Sequence, residues 1–146
     1  MAVTISLYDH TAKLFANGDV TLSTLKVQLL SASASFTASH TALTSVNNSG
    51  AYEVDGNGWT TGGETLANVA VTVTGTNDAK LDADDVSVTA TGGSVGPASY
   101  AVIYDDTDAS DAPLAFIDFD GAQEAGVGTD FKITWNANGI ITWTYT

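Results

Sequence analysis

Apolar and polar residues alternate along much of this chain with a period of two, the repeat of a strand that buries one face. LANVAVTVTG (66–75) and DVSVTAT (85–91) show the alternation plainly. TLKVQLL (24–30) reads as a first strand, while SYAVIY (99–104) and LAFIDF (114–119) are apolar at consecutive positions, which predicts strands covered on both faces. Toward the end, FKITW (131–135) sets Phe131, Ile133 and Trp135 on one face, NANG supplies turn residues, and Ile141, Trp143 and Tyr145 alternate on the return. That spacing predicts a β-hairpin.

Helical signals appear in two places. In YDHTAKLFANGD, Asp9 is placed to cap a first turn and Gly18 to take the left-handed position after Asn17, giving about two turns. SASFTASHTALTSV (33–46) offers Ser39 as the cap of one further turn, in a segment rich in the poor helix formers Ser and Thr. Crossover helices are missing between the strands, which disfavours a parallel sheet. The pattern therefore predicts one mainly β domain over residues 1–146, an antiparallel β-sandwich or small barrel of about 7–8 strands with a short N-terminal helix. Neither an internal repeat nor a Pro-rich or Ser/Gly-rich linker divides it.

Composition sharpens this picture. Hydrophobic residues make up 44% of the 146 positions and charged ones only 14%, so polarity comes from Thr, Ser, Asn and Gly, the profile of a β-rich domain. With no Cys, disulfides, thiolate metal sites and cysteine nucleophiles are excluded. Four Lys, no Arg and seventeen acidic residues give a net charge of −13. Phosphate affinity rests on Lys and Arg, so nucleic acid is excluded as a partner, as is an anionic membrane surface. A partner with a basic surface suits this charge. MAVTISLYDHTAKLF has neither the basic start nor the apolar centre of a signal peptide, and no run approaches the roughly 20 apolar residues of a membrane span, so synthesis and folding in a cytoplasm are expected.

Candidate chemistry is sparse. YDDTDASDAP (104–113) carries Asp105, Asp106, Asp108 and Asp111 between the two most apolar runs. It lacks the Gly and bidentate Glu of an EF-hand loop. Convergence of these four, with Asp118 or Asp120, would make a structural or cross-subunit calcium site; the competing reading is a wet hairpin tip whose Asp and Ser side chains bond their own backbone. Asp82, Asp84 and Asp85 in LDADDV carry the same two readings. GGSVG (92–96) matches the pattern of a nucleophile elbow around Ser94, but Pro97 and a strand follow where a helix is required. His10 and His40 have no neighbouring ligand spacing for zinc. Glu53, Glu64 and Glu124 sit near Gly-rich turns, unlike the paired carboxylates of a glycosidase cleft. No catalytic residue and no cofactor is expected. Trp59, in GNGWTTGGETL, is either an exposed anchor for a partner or a side chain folded back over one end of the sandwich.

The blocks LYDHTAKLFANG, LKVQLL, GNGWTTGGETLANVAVT, DADDVSVTATGGSVGPASYAVIYDDTDASDAP and FKITWNANGIITWTYT resemble those of small acidic virion proteins of tailed bacteriophages, over essentially the whole chain. The resemblance implies a particle component and assigns no residue roles. Among particle positions, a Cys-free, Arg-free acidic sandwich without coiled coil, arm or lytic site fits a capsid decoration or cement protein on the outer capsid surface. Its expected partners are the major capsid protein lattice and further copies of itself, as a homotrimer or other symmetric oligomer, with Val3, Ile5, Leu7 and Trp59 as contacts. The alternatives are a neck, tail or fibre-associated module and, from another class, a carbohydrate-binding β-sandwich.

Overall fold

The computed structural model describes residues 3–144. Eleven strands, two short α-helices and one 3₁₀ turn follow in the order β1 (Thr4–Leu7), α1 (Thr11–Asn17), the 3₁₀ turn (Leu22–Thr24), β2 (Leu25–Leu30), α2 (Leu43–Val46), β3 (Glu53–Val54), β4 (Glu64–Thr65), β5 (Ala70–Gly75), β6 (Asp78–Asp82), β7 (Val86–Thr89), β8 (Val95–Asp105), β9 (Ala112–Ala125), β10 (Asp130–Ile133) and β11 (Ile141–Trp143). All pairings are antiparallel. The mainly β, sandwich-like architecture agrees with the periodicity. The strands outnumber the 7–8 expected because Thr4–Leu7, two two-residue strands and the charged DAKLD segment are too short or too polar for a period-two signal.

The principal sheet has the order β1-β9-β8-β2-β3, with β4 also paired to β2. At its centre Ala101–Asp105 of β8 and Ala112–Ile117 of β9 are buried at every position. Both faces are therefore covered, as the unbroken apolar runs predict. One face, with Val27, Leu29, Ile103, Ile117 and Phe119, packs on Leu81, Val86, Phe131, Ile133 and Ile141 from a second layer made of the β11-β6-β5 and β10-β7 sheets. The other, with Leu30, Val102, Tyr104 and Phe116, is closed by the segment 31–52 through Ala34, Leu43, Val46 and Tyr52. A buried pair fastens that segment, the Asn47 amide donating to Gln28 Oε1 at 3.0 Å.

Local rules hold at some ends and yield at others. Gly18 takes the left-handed conformation after α1, φ +76°, as expected. The N-cap is His10 and not Asp9, with no side-chain cap, because the His10 ring bonds the Pro113 carbonyl at 2.6 Å. α2 begins after Ala42, three residues beyond Ser39, and only one turn forms. Among the described residues the predicted C-terminal hairpin does not form. NANG does turn, with Gly139 N–H donating to the Asn136 carbonyl at 2.8 Å, but β10 pairs with β7 and β11 with β6. Phe131, Ile133 and Trp135 do share a buried face. Trp143 packs on Phe15 at 5.1 Å between ring centroids, and Tyr145 lies outside the described residues.

Gly63 shows how tightly β4 docks. Its φ is +98°, and a Cβ there would overlap the Val27 carbonyl oxygen. Gly63→Ala is expected to cost about 2–4 kcal/mol in urea unfolding. Gly126 has open space around it and no positive φ, so Gly126→Ala stays within about 0.5 kcal/mol of the parent.

Candidate functional site

The acidic hairpin tip joins β8 to β9, as its flanking strands predict. Its aspartates do not act alike. Asp105 is 2% exposed and works as a structural acceptor. The Thr21 amide donates to Oδ2 at 2.8 Å; the Thr107 amide and hydroxyl donate to Oδ1 at 3.1 and 2.7 Å, and the Thr24 hydroxyl lies 3.0 Å from the same oxygen. One carboxylate thus joins the chain entering β2 to the β8–β9 turn. Beyond it the Ser110 amide donates to Asp108 Oδ1 at 2.8 Å, and the Asp111 amide donates to the Asp108 carbonyl. Side chains bonding their own backbone are what the wet-tip reading required. Asp106 reaches sideways to Lys26 at 3.0 Å.

Asp105, Asp106, Asp108 and Asp111 do not converge as the calcium reading required: among the described residues, no group of three or more carboxylates or imidazoles is arranged to hold a metal. The reason lies in Asp105, whose oxygens already face amide and hydroxyl donors. Asp118 faces Thr4 and Tyr100 across its neighbouring strands and accepts the Asp120 amide at 2.8 Å, which keeps it with the β9 bend.

What gathers at this end is negative charge around a phenol. Tyr104 donates to the Gly62 carbonyl at 2.5 Å, and burial together with Asp106, Asp111 and Glu53 raises its pKa far above the usual phenol range. Burial, Asp106 and Asp108 also raise Asp111, against the opposing pull of Lys26. Asp105 is shifted the other way: burial opposes its ionisation, but the donors on Thr21, Thr107 and Thr24 outweigh it and hold the carboxyl below its ordinary value.

Several other acidic groups anchor loops as well. Glu53 Oε1 accepts the Gly62 amide at 2.5 Å and Glu64 Oε1 the Thr60 amide at 2.7 Å. Asp85 accepts the Trp135 amide at 3.0 Å, the Trp135 indole donates to the Asp84 carbonyl at 2.9 Å, and Asp82 pairs with Lys80. LDADDV is thus the end of β6 and a turn that captures Trp135. Ser94 lies before β8, where its carbonyl accepts from the Asn57 amide at 2.7 Å.

Trp59 corrects one expectation. At 2% exposure it presents no surface to a partner. Positive φ at Gly56, Asn57 and Gly58 folds the loop back, and the indole packs edge-on against Phe131 at 5.5 Å within the main core. Flanking glycines removed any periodic signal for this burial. Of the other three expected contacts, Ile5 and Leu7 lie on β1, at one edge of the principal sheet, and Val3 immediately precedes it. Val3 and Leu7 are exposed, while Ile5 turns onto the core. Beside them a groove of about 220 Å³ is lined by Val3, Ile5, Phe119, Ile133, Trp135 and neighbours. No family model, curated protein or solved structure matches the chain.

Two outcomes follow for denaturant unfolding. Asp105→Asn turns an acceptor into a donor facing amides and is expected to cost about 2–4 kcal/mol at pH 7. Since the folded pKa of Asp105 lies below its unfolded value, its contribution is complete above about pH 4 and fades as pH falls through the depressed folded value, so the gap between variant and parent should narrow at pH 3. Trp59→Ala is expected to cost about 3–5 kcal/mol, as a core truncation does.

Proposed function

We propose that this chain is a structural component of a tailed-phage particle, serving as a decoration or cement protein on the outside of the assembled head. The observation that carries the reading is the distribution of charge. Only four cations stand against seventeen acidic groups, and Glu53, Asp106 and Asp111 crowd one end of the sheet around Tyr104. Such a surface is repelled by packaged nucleic acid and attracted to a basic lattice exterior.

The way the acidic groups are used supports a passive scaffold. Asp84, Asp85, Asp105, Glu53 and Glu64 hold loops to strands, so the framework is rigid before it meets a partner. A preorganised module that binds the assembled lattice and not the free subunit stabilises the shell by mass action, at little ordering cost. The exposed apolar residues Val3 and Leu7 on the β1 edge are the docking contacts in this reading, with the acidic end steering approach.

The test is copy number. Quantitative mass spectrometry of purified particles should find this chain at a ratio to the major capsid protein of about one, or one to a few, as lattice symmetry requires. A ratio of a few per cent overturns the head reading and assigns the chain to neck, tail or fibre.

A further inference from the structure

The β11-β6-β5 sheet ends in an unprotected strand. All six residues of β5, AVTVTG, are exposed, and among the described residues β5 has a strand on one side only. Its register with β6 sets Val71 opposite Leu81 and Val73 opposite Ala79, and β11 adds Ile141 and Trp143 to the same rows. This is the sheet's inner face. Leu81 and Ile141 are buried in the main core, but Val71 and Val73 overhang it, 44% and 83% exposed. With Ala12, Phe15 and Ala16 of α1, Val71, Ala79 and Trp143 border an apolar groove of about 480 Å³. Edge strands are ordinarily blunted by charge or proline, and β5 has neither. Only a bulge between Val73 and Gly75 limits it, at its far end.

We propose that β5 is a self-association edge, through which two copies of this chain pair antiparallel about a two-fold axis at Thr72 and join their three-stranded sheets into one. The pattern of β5 is its own complement. With Thr72 opposite Thr72 of the second copy, each Val71 meets a Val73 on the inner face, and Ala70 meets Thr74 on the outer. Antiparallel partners place facing side chains on the same side of a sheet, so the two apolar overhangs become one continuous row and the two grooves adjoin. Charge selects the same seam. Two chains of −13 repel wherever their acidic loops meet, and an uncharged strand is a line along which they can approach. A β5 edge is about 20 Å long, and with the adjoining grooves the contact covers on the order of 1,000 Å² in total, the lower range of specific interfaces. A micromolar, reversible dimer is expected. This pairing does not depend on the chain belonging to a virion.

Sedimentation equilibrium on the full chain, from roughly 5 to 500 µM, should show a monomer–dimer equilibrium. Val73→Lys, at a solvent-facing position, should raise the dissociation constant at least about 100-fold while leaving the circular dichroism spectrum unchanged. Because the chain has no cysteine, Thr72→Cys provides an independent reading: across an antiparallel pair the Cα atoms lie about 4.5–5.5 Å apart, within disulfide reach. Under mild oxidation this variant should cross-link as a dimer much faster than Thr142→Cys on the exposed face of β11. A chain monomeric at 500 µM, a trimer, a dimer indifferent to Val73→Lys, or equal cross-linking of the two cysteine variants would each overturn the proposal.

Discussion

A strand pair buried on both faces requires two covers, and everything else in this molecule follows from that requirement. β8 and β9 bring unbroken apolar runs to the centre of the principal sheet. Neither face tolerates water, so the chain must supply a layer for each. One cover is conventional, built from five short strands in two small sheets. The other has almost no regular structure: the segment 31–52 crosses the opposite face with a single helical turn and a few buried side chains. Its backbone needs partners where no ladder exists, and the turns around Ser31, Thr37 and Asn47 provide them, while the Asn47 side chain ties the segment to Gln28 of β2.

Acidic residues do much of the fastening. A chain with four lysines has few ion pairs to make, and its carboxylates instead accept from backbone amides and threonine hydroxyls. Such charge-assisted bonds hold turns without a cationic partner. Asp105 illustrates the trade: its burial disfavours the charge, and four donors from two separate loops restore it. Glu53, Asp106 and Asp111, gathered around Tyr104, set the electrostatic character of one end. Under the proposed function that end steers the molecule toward a basic lattice, while two free edges of different character, β1 and β5, carry the apolar contacts. A dimer made through β5 would present two β1 edges, doubling the valency of docking on a symmetric shell.

The legible part of the fold was the part governed by local period. Alternation in residues 85–91, the unbroken runs before and after the acidic tip, and Gly18 beyond Asn17 each appear where the sequence places them, whereas the alternation in 66–75 yields a strand, β5, that buries neither face. The bonding of the acidic tip to its own backbone was legible too, because short Asp and Ser side chains reach only nearby amides. Trp59 was not, since glycines on either side erase the pattern that reports which way a side chain faces.

The sequence by itself determined which segments extend, which positions along them are apolar, and that the surface is acidic; these depend on residues a few positions apart. Only the tertiary structure decided partners. FKITW and IITW turn toward each other yet pair with β7 and β6, because Asp84 and Asp85 seize Trp135 and the Gly139 turn seats against Lys80 and Leu81. Asp105 likewise became a buried junction, because Thr21 and Thr24, some eighty residues earlier in the chain, bring donors to it beside those of Thr107. Contacts of that range leave no periodic trace in the sequence; they exist only once both covers have closed on the central strands.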